Sequence, residues 1–283
     1  VKIKQIHMTD GPEHHRQRSE FIRGLVQRPA AKIVARDRYV QRPPKTIVQF
    51  WHDLRELPAD IEECIASWRR WTASGFKHLL FDEQRARAFI RGSLGRRHEH
   101  AFDRCYHPAM QADYFRLCYL LVEGGFYVDA DDICIGSQID WLFTDGRLKI
   151  HPLCYDISAA SMVNTCNFLA EGAHRPHWIF YVNNNPLISS KRHPIIKLAL
   201  QRATERLENT IADELPEIQE TTGPGNLSRS IFETGVAPEA LERDLVVLRD
   251  WDSFAISKWP LSYRDDARNW RHSNQKRLER DPK

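Results

Sequence analysis

A chain of 283 residues with 42% hydrophobic and 28% charged side chains is long enough to bury a substantial core, and its composition excludes a disordered or fibrous protein. Its 41 basic residues nearly balance 38 acidic ones; the net charge of +3 is too small to suggest nucleic-acid binding, and no such motif is present, although Arg264 to Lys283 is locally basic. The six cysteines show no CxxC pair or metal-finger spacing and no apolar run reaches membrane length, so the expectation is a reduced, cytoplasmic chain with no transmembrane segment or secretory opening, a membrane-peripheral position being left open.

Residues 1–42 are rich in His, Arg and Gln, with weak helical periodicity around Phe21, Ile22, Leu25 and Val26. They read as an N-terminal helical extension that Pro43-Pro44 ends, because each proline biases its predecessor away from helix. Thr46 to Trp51, β-branched and aromatic, predicts a strand, and Pro58 to Trp71 a helix with Ile61, Ile65 and Trp68 on one face. Phe76 to Phe81 predicts a second strand, after which Asp82 caps the next helix. Strand and helix alternate, which favours an α/β fold with a mostly parallel central sheet flanked by helices. Gly92 to His107, polar and basic, reads as a solvated loop.

Met110 to Asp132 is the most informative stretch. Tyr114, Leu117, Cys118, Leu121 and Val122 are spaced for one face of an amphipathic helix of about three turns. Gly124-Gly125 supply a helix-ending turn, and Phe126-Tyr127-Val128 a short buried strand. Alternation then points Asp129 and Asp131 the same way around the small Ala130, at the carboxyl edge of the sheet where open α/β folds bind ligands. Two carboxylates so placed suit Mg²⁺ or Mn²⁺ shared with the phosphates of a substrate, while clustered aspartates also serve as turn acids or helix caps. Asp113 and Arg116 share a helix face, as an intrahelical ion pair also would.

Farther along, Ile133 to Phe143 is short and apolar, with Trp141-Leu142-Phe143 as a buried patch. Tyr155 to Ala159 and Thr165 to Ala170 read as paired strands, and Trp178 to Val182 as a strand ending in the polar turn Asn183-Asn184-Asn185-Pro186. An amphipathic helix over Ile195 to Ile211, a break at Thr221 to Asn226, a short helix over Leu227 to Phe232 and a last strand at Leu245 to Leu248 follow. Trp251, Phe254 and Trp259 suggest an aromatic lid.

Ala112-Asp113-Tyr114-Phe115-Arg116, followed by Gly124-Gly125-Phe126-Tyr127-Val128-Asp129-Ala130-Asp131, resembles the signature of the DXD-containing sugar-binding glycosyltransferases, family 32 and its relatives, which include the glucosylating clostridial toxins. Pro44 to Trp51 is similar to the family's opening strand, Asn183 to Asn185 with His193-Pro194 to the strand and helix lining its sugar pocket, and Thr222-Gly223-Pro224 to a turn near its acceptor. The resemblance extends to His272. It implies a GT-A glycosyltransferase domain over residues 43–283, a retaining, metal-dependent transfer using Mn²⁺ or Mg²⁺, a UDP- or GDP-sugar donor, and a glycan, lipid-linked or protein acceptor, as in polysaccharide biosynthesis. By the same resemblance the catalytic set is Asp129, Asp131 and Arg116. Asp131 is the direct metal ligand, and Asp129 shapes the ion's shell and holds ribose or sugar hydroxyls. Asp113 and Arg116 reach the sugar, Asn184 lines its pocket, and Phe50 and Trp51 border the base, which Trp51 stacks on. The chain departs from the family in having Val48 where a His is usual and Asn269 where relatives place a His-Trp pair; His272, three residues later, is the candidate third metal ligand, a position the departure leaves unsettled. Two other readings are a catalytically inert nucleotide-sugar or glycan-binding module and a metal-dependent phosphohydrolase; for the latter no second acid or histidine cluster has suitable spacing.

Overall fold

A central sheet of seven strands runs in the order β2-β1-β3-β7-β5-β6, with β8 added beside β5, among the residues described by this computed structural model, which are 11–28, 41–170, 172–210, 215–258 and 260–272. Its strands are β1 (Thr46–Phe50), β2 (Lys77–Phe81), β3 (Gly125–Tyr127), β5 (Leu148–Asp156), β6 (Ser161–Met162), β7 (Trp178–Ser189) and β8 (Leu245–Val247). β1 pairs in parallel with β2 and β3, as the alternation of strand and helix predicts. β7 enters antiparallel between β3 and β5, and β8 returns parallel to β5. A separate two-stranded ribbon joins β4 (Asp132–Cys134) to β9 (Ala255–Ser257).

The sheet is covered on both faces, which is why all five residues of β1 are buried. Val48, Phe50 and Tyr127 point into the larger core with the helices α1 (Pro12–Val26), α3 (Glu83–Leu94), α4 (Arg96–Asp103), α5 (Pro108–Val122), α6 (Thr165–Phe168), α7 (Pro194–Glu208), α8 (Ile218–Thr221) and α9 (Pro224–Phe232). Ile47, Phe126 and Ile188 point into a second core of aromatics, where Trp68 of α2 (Ala59–Arg69) meets Trp251, Phe254 and Phe143. On the stretch of β7 not paired with β3, two amide hydrogens directed away from β5 are taken by side chains: Phe180 donates to Ser19 Oγ of α1 at 3.0 Å and Val182 to Ser228 Oγ of α9 at 2.8 Å.

α5 begins with His107 as its cap, Nδ1 accepting from the Ala109 amide at 3.1 Å, and Pro108 in its first turn. It is expected to be amphipathic, but it is buried nearly all round from Met110 to Leu120, with Asp113 and Arg116 inside. Gly124 at φ +67° and Gly125 at φ +109° end it. A Cβ on Gly124 would lie 2.8 Å from the Lys191 nitrogen and Ser189 oxygen, and one on Gly125 2.9 Å from the Thr46 oxygen, so the pair lets the chain slip between β1 and β7.

Several local expectations are corrected. Arg96–Asp103 is a helix rather than a loop, because Glu99, Ala101 and Phe102 form a short buried face. Thr165–Phe168 is a turn of helix capped by Asn164, and the strand expected there is replaced by Ser161–Met162 as partner of Tyr155 and Asp156. β7 does not stop at Val182 but continues through Asn183 to Pro186, since the buried Asn184 and Asn185 find polar partners in the site. Trp141 is 47% exposed, and only Leu142 and Phe143 of that patch are buried. Trp251 and Phe254 are buried in the second core, whereas Trp259, the end of the predicted helix at Ile211 and the residues beyond 272 lie outside those described.

Candidate active site

The loop of residues 128–131 leaves β3 and enters β4 at the end of the parallel strands, and its backbone is fixed from three sides. The Gln49 amide donates to the Asp129 carbonyl at 3.2 Å while its Oε1 pairs with His78 at 2.8 Å. Asn185 Oδ1 accepts the Asp129 N–H at 2.9 Å, and the Trp68 indole donates to the Asp132 carbonyl at 2.9 Å.

Arg116, 2% exposed, is the hub of the side chains. Its Nη2 donates to Asp129 Oδ1 at 2.8 Å and lies 2.9 Å from Asp113 Oδ1; its Nη1 donates to the Asn184 carbonyl at 2.6 Å; and its guanidinium stacks 4.5 Å over the Tyr127 ring. Asn184 Nδ2 donates to Asp113 Oδ1 at 2.8 Å, and Thr222 Oγ1 to Asp113 Oδ2 at 3.3 Å. The structure thus brings Asp113, Arg116, Asp129 and Asn184 into one connected network. Burial works against the charge of Arg116, yet Asp129, Tyr127 and Asp113 hold its pKa above the ordinary value. Burial likewise raises Asp113, against the pull of Arg116, Asn184 and Thr222.

Asp131 sits beside this network with different partners: Tyr263 Oη donates to its Oδ2 at 2.7 Å and Arg264 Nη2 at 2.6 Å. Asp132, 2% exposed, accepts Ser257 Oγ at 2.7 Å and Asn185 Nδ2 at 2.7 Å. Burial drives the Asp129 pKa upward, Arg116 opposes it, and the charges of Asp131 and Asp132 add to the rise. Burial and the neighbouring Asp131 push Asp132 to about 6.

Trp51 directly follows β1 and is 7% exposed, its ring edge-on to Tyr263 with centroids 5.3 Å apart, and it packs among Ile61, Ile65, Ala130 and Leu261. Phe50 points the other way, into the larger core against Phe115 at 5.7 Å. His272 Nδ1 donates to the Asp266 carbonyl at 3.1 Å, and His272 forms no metal-suited group of three with the acids among the described residues.

The charge balance bears on a cation. Four aspartates, Asp113, Asp129, Asp131 and Asp132, are matched in these contacts by two guanidiniums, Arg116 and Arg264. Among the described residues the hydrogen bonds reach Asp129 Oδ1 and Asp131 Oδ2, so each has a second oxygen for a hard ion. The residues therefore fit a divalent cation, but no cluster of three His, Cys, Asp or Glu side chains suited to metal is present among the described residues, so phosphate or water oxygens must complete its shell. Sequence reasoning placed the run Asn183 to Asn185 at the pocket without giving Asn185 a role of its own, and it missed Gln49, Ser257, Tyr263 and Arg264, which lie in other segments of the chain.

Residues 58–146 match the family model for the glycosyltransferase sugar-binding region containing DXD motif, a span that holds Asp113, Arg116, Asp129 and Asp131, and parts of the chain are similar to proteins named as glycosyltransferases. An uncharacterized glycosyltransferase of Acanthamoeba polyphaga mimivirus is 28% identical over 116 residues, 38% of this chain and 44% of the viral protein. The initiation-specific alpha-1,6-mannosyltransferase of Schizosaccharomyces pombe is 22% identical over 173 residues, 56% of this chain and 41% of the yeast protein. The chain thus spans less than half the length of these curated relatives. The solved structure of PaToxG Glycosyltransferase superposes with a TM-score of 0.45 and 14% identity, over 78% of this chain and 76% of that one. No helix among the described residues is long and apolar enough to cross a membrane.

Proposed function

We propose that this protein is a metal-dependent, retaining glycosyltransferase of the GT-A type, which moves a hexose from a nucleotide-diphosphate sugar to a hydroxyl acceptor, with residues 43–283 as its transferase domain. The observation that carries the reading is the buried chain Asp113–Arg116–Asp129, closed by contacts of 2.9 and 2.8 Å, beside an Asp131 that keeps a second oxygen available. A network of this kind is costly to bury, and a site that recognises hydroxyls and phosphates gives it a use.

In this reading Asp131 would hold the ion directly, and Asp129 would shape its shell and meet ribose or sugar hydroxyls. When bound there, Mn²⁺ or Mg²⁺ would neutralise the charge that builds on the departing diphosphate oxygen, an interaction stronger in the transition state than in the ground state. Arg116 and Asp113 offer donors and acceptors to the sugar hydroxyls, and Asn184 keeps Asp113 oriented through its 2.8 Å bond. Trp51 borders the base, and Phe50 supports β1 from the core side. The front-face course, in which the acceptor oxygen bonds the anomeric carbon as the diphosphate leaves with the acceptor proton, rests on relatedness to the family. A relative named as a mannosyltransferase makes a GDP-sugar the first donor to screen, beside UDP-sugars.

The test is thermal stabilisation by nucleotide sugars with and without Mn²⁺, followed by their slow hydrolysis. Metal-dependent hydrolysis that vanishes in both Asp131→Asn and Asp129→Asn, each still folded, is expected. Wild-type hydrolysis in those variants would refute the assignment, and binding without any hydrolysis would favour an inert module.

A further inference from the structure

The turn Ser262–Asp265 reaches two parts of the candidate site at once. Tyr263 donates to Asp131 Oδ2 at 2.7 Å and stands edge-on to Trp51, and Arg264 donates to the same carboxylate oxygen at 2.6 Å. The Arg264 and Asp131 side chains are 14% and 17% exposed, so their attraction is only partly screened by water. The backbone of the turn is anchored elsewhere: Ser262 donates through its N–H and Oγ to Asp60 at 2.7 and 3.0 Å, and Asn269 Nδ2 to the Arg264 carbonyl at 2.7 Å. The turn thus fixes the Arg264 backbone beside the site, and a change of partner by its guanidinium falls to the side chain.

A guanidinium and a divalent cation compete for the same carboxylate, and they repel each other across it. The planar fork of arginine matches phosphate oxygens as well as it matches a carboxylate. Resting on the reading above, in which Asp131 holds the cation against a diphosphate, we propose that Arg264 is a donor-binding residue that exchanges partners. It is the counter-ion of Asp131 in the free protein and of the donor's diphosphate once the cation is held at Asp131. Arg264 would then give the leaving diphosphate a second positive charge, and Tyr263 would tie that charge to the wall of the base pocket.

Calorimetric titration tests this with MnCl₂ alone and with inorganic pyrophosphate in the presence of Mn²⁺, on wild type, Arg264→Gln, Arg264→Lys and Asp131→Asn. Arg264→Gln is expected to bind Mn²⁺ alone about threefold or more tighter, because the competitor is gone, and pyrophosphate about tenfold or more weaker, because a charge-assisted fork is lost. Arg264→Lys should fall between it and wild type, and serves in its place if the glutamine variant does not fold. Tighter binding of both probes would mean that Arg264 only blocks the site, and unchanged pyrophosphate affinity would mean that it takes no part; either overturns the proposal. Loss of both probes in Asp131→Asn together with wild-type behaviour in the Arg264 variants would leave the donor reading standing and remove this inference alone. Wild-type protein that binds neither probe would overturn both.

Discussion

Asn185 donates its side-chain amide to the Asp132 carboxylate at 2.7 Å while its own Oδ1 accepts the Asp129 N–H at 2.9 Å, so one buried residue of β7 holds both ends of the loop that carries Asp131. Asn185→Asp would replace a donor with a carboxylate facing Asp132 and is expected to cost about 2–4 kcal/mol of stability, against about 1–3 kcal/mol for Asn185→Ala. Urea unfolding of the two variants ranks them. An aspartate variant as stable as wild type would show that the bridge does not hold the loop.

Thr222 reaches the network from behind, giving its hydroxyl to Asp113 at 3.3 Å. Thr222→Val keeps the shape and removes one bond to a charged group, so a loss of about 1 kcal/mol in stability is expected. If Asp113 meets the sugar, the variant's KM for the donor should rise while kcat changes less. An unchanged KM would leave Thr222 a packing residue.

His193 is fully buried and caps α7, its Nδ1 accepting the Ile195 N–H at 3.3 Å while Nε2 faces the Asp244 carbonyl at 3.2 Å. Burial holds its pKa down at about 4, from an ordinary 6.5. A histidine depressed on folding takes up its proton first in the unfolded chain, so its contribution is intact above pH 6.5 and declines as the pH falls toward 4. Between about pH 7 and 4.5 that loss is on the order of 2 kcal/mol. His193→Asn preserves a capping side chain without the titration and should lose less stability over the same range, as read from urea midpoints.

Gly75 and Gly124 share a left-handed backbone, at φ +82° and +67°, but a Cβ on Gly75 meets nothing within 4 Å whereas one on Gly124 comes to 2.8 Å from two backbone atoms. Gly75→Ala should therefore cost about 1 kcal/mol and Gly124→Ala about 2–4 kcal/mol. Equal thermal midpoints for the two variants would contradict the close approach of Gly124 to the end of β7.

The part of the site legible in the sequence is the part written in one run. Asp113, Arg116, the glycine pair, Asp129 and Asp131 lie within twenty residues, and a helix, a turn and a strand fix their spacing whatever surrounds them. β1, β2, α2 and the Asp82 cap were legible for the same local reason. The antiparallel entry of β7 was not, because a polar Asn183-Asn184-Asn185-Pro186 reads as a turn until the acids that satisfy it are known. α4 was hidden by a surface dense in arginine and histidine over a face of only a few buried residues. The pairing of Arg264 with Asp131 depends on folding back over a separation of 133 residues, which no local pattern encodes.

The two serines that cover β7 have a consequence for how the chain behaves outside its native state. Ser19 comes from the first helix and Ser228 from a helix more than two hundred residues later, so this edge of the strand is covered only when both helices are in place. A product shortened to begin at residue 43 would bare the Phe180 amide beside an apolar surface vacated by Ile22, Leu25 and Val26, the kind of open template on which chains add to one another and precipitate.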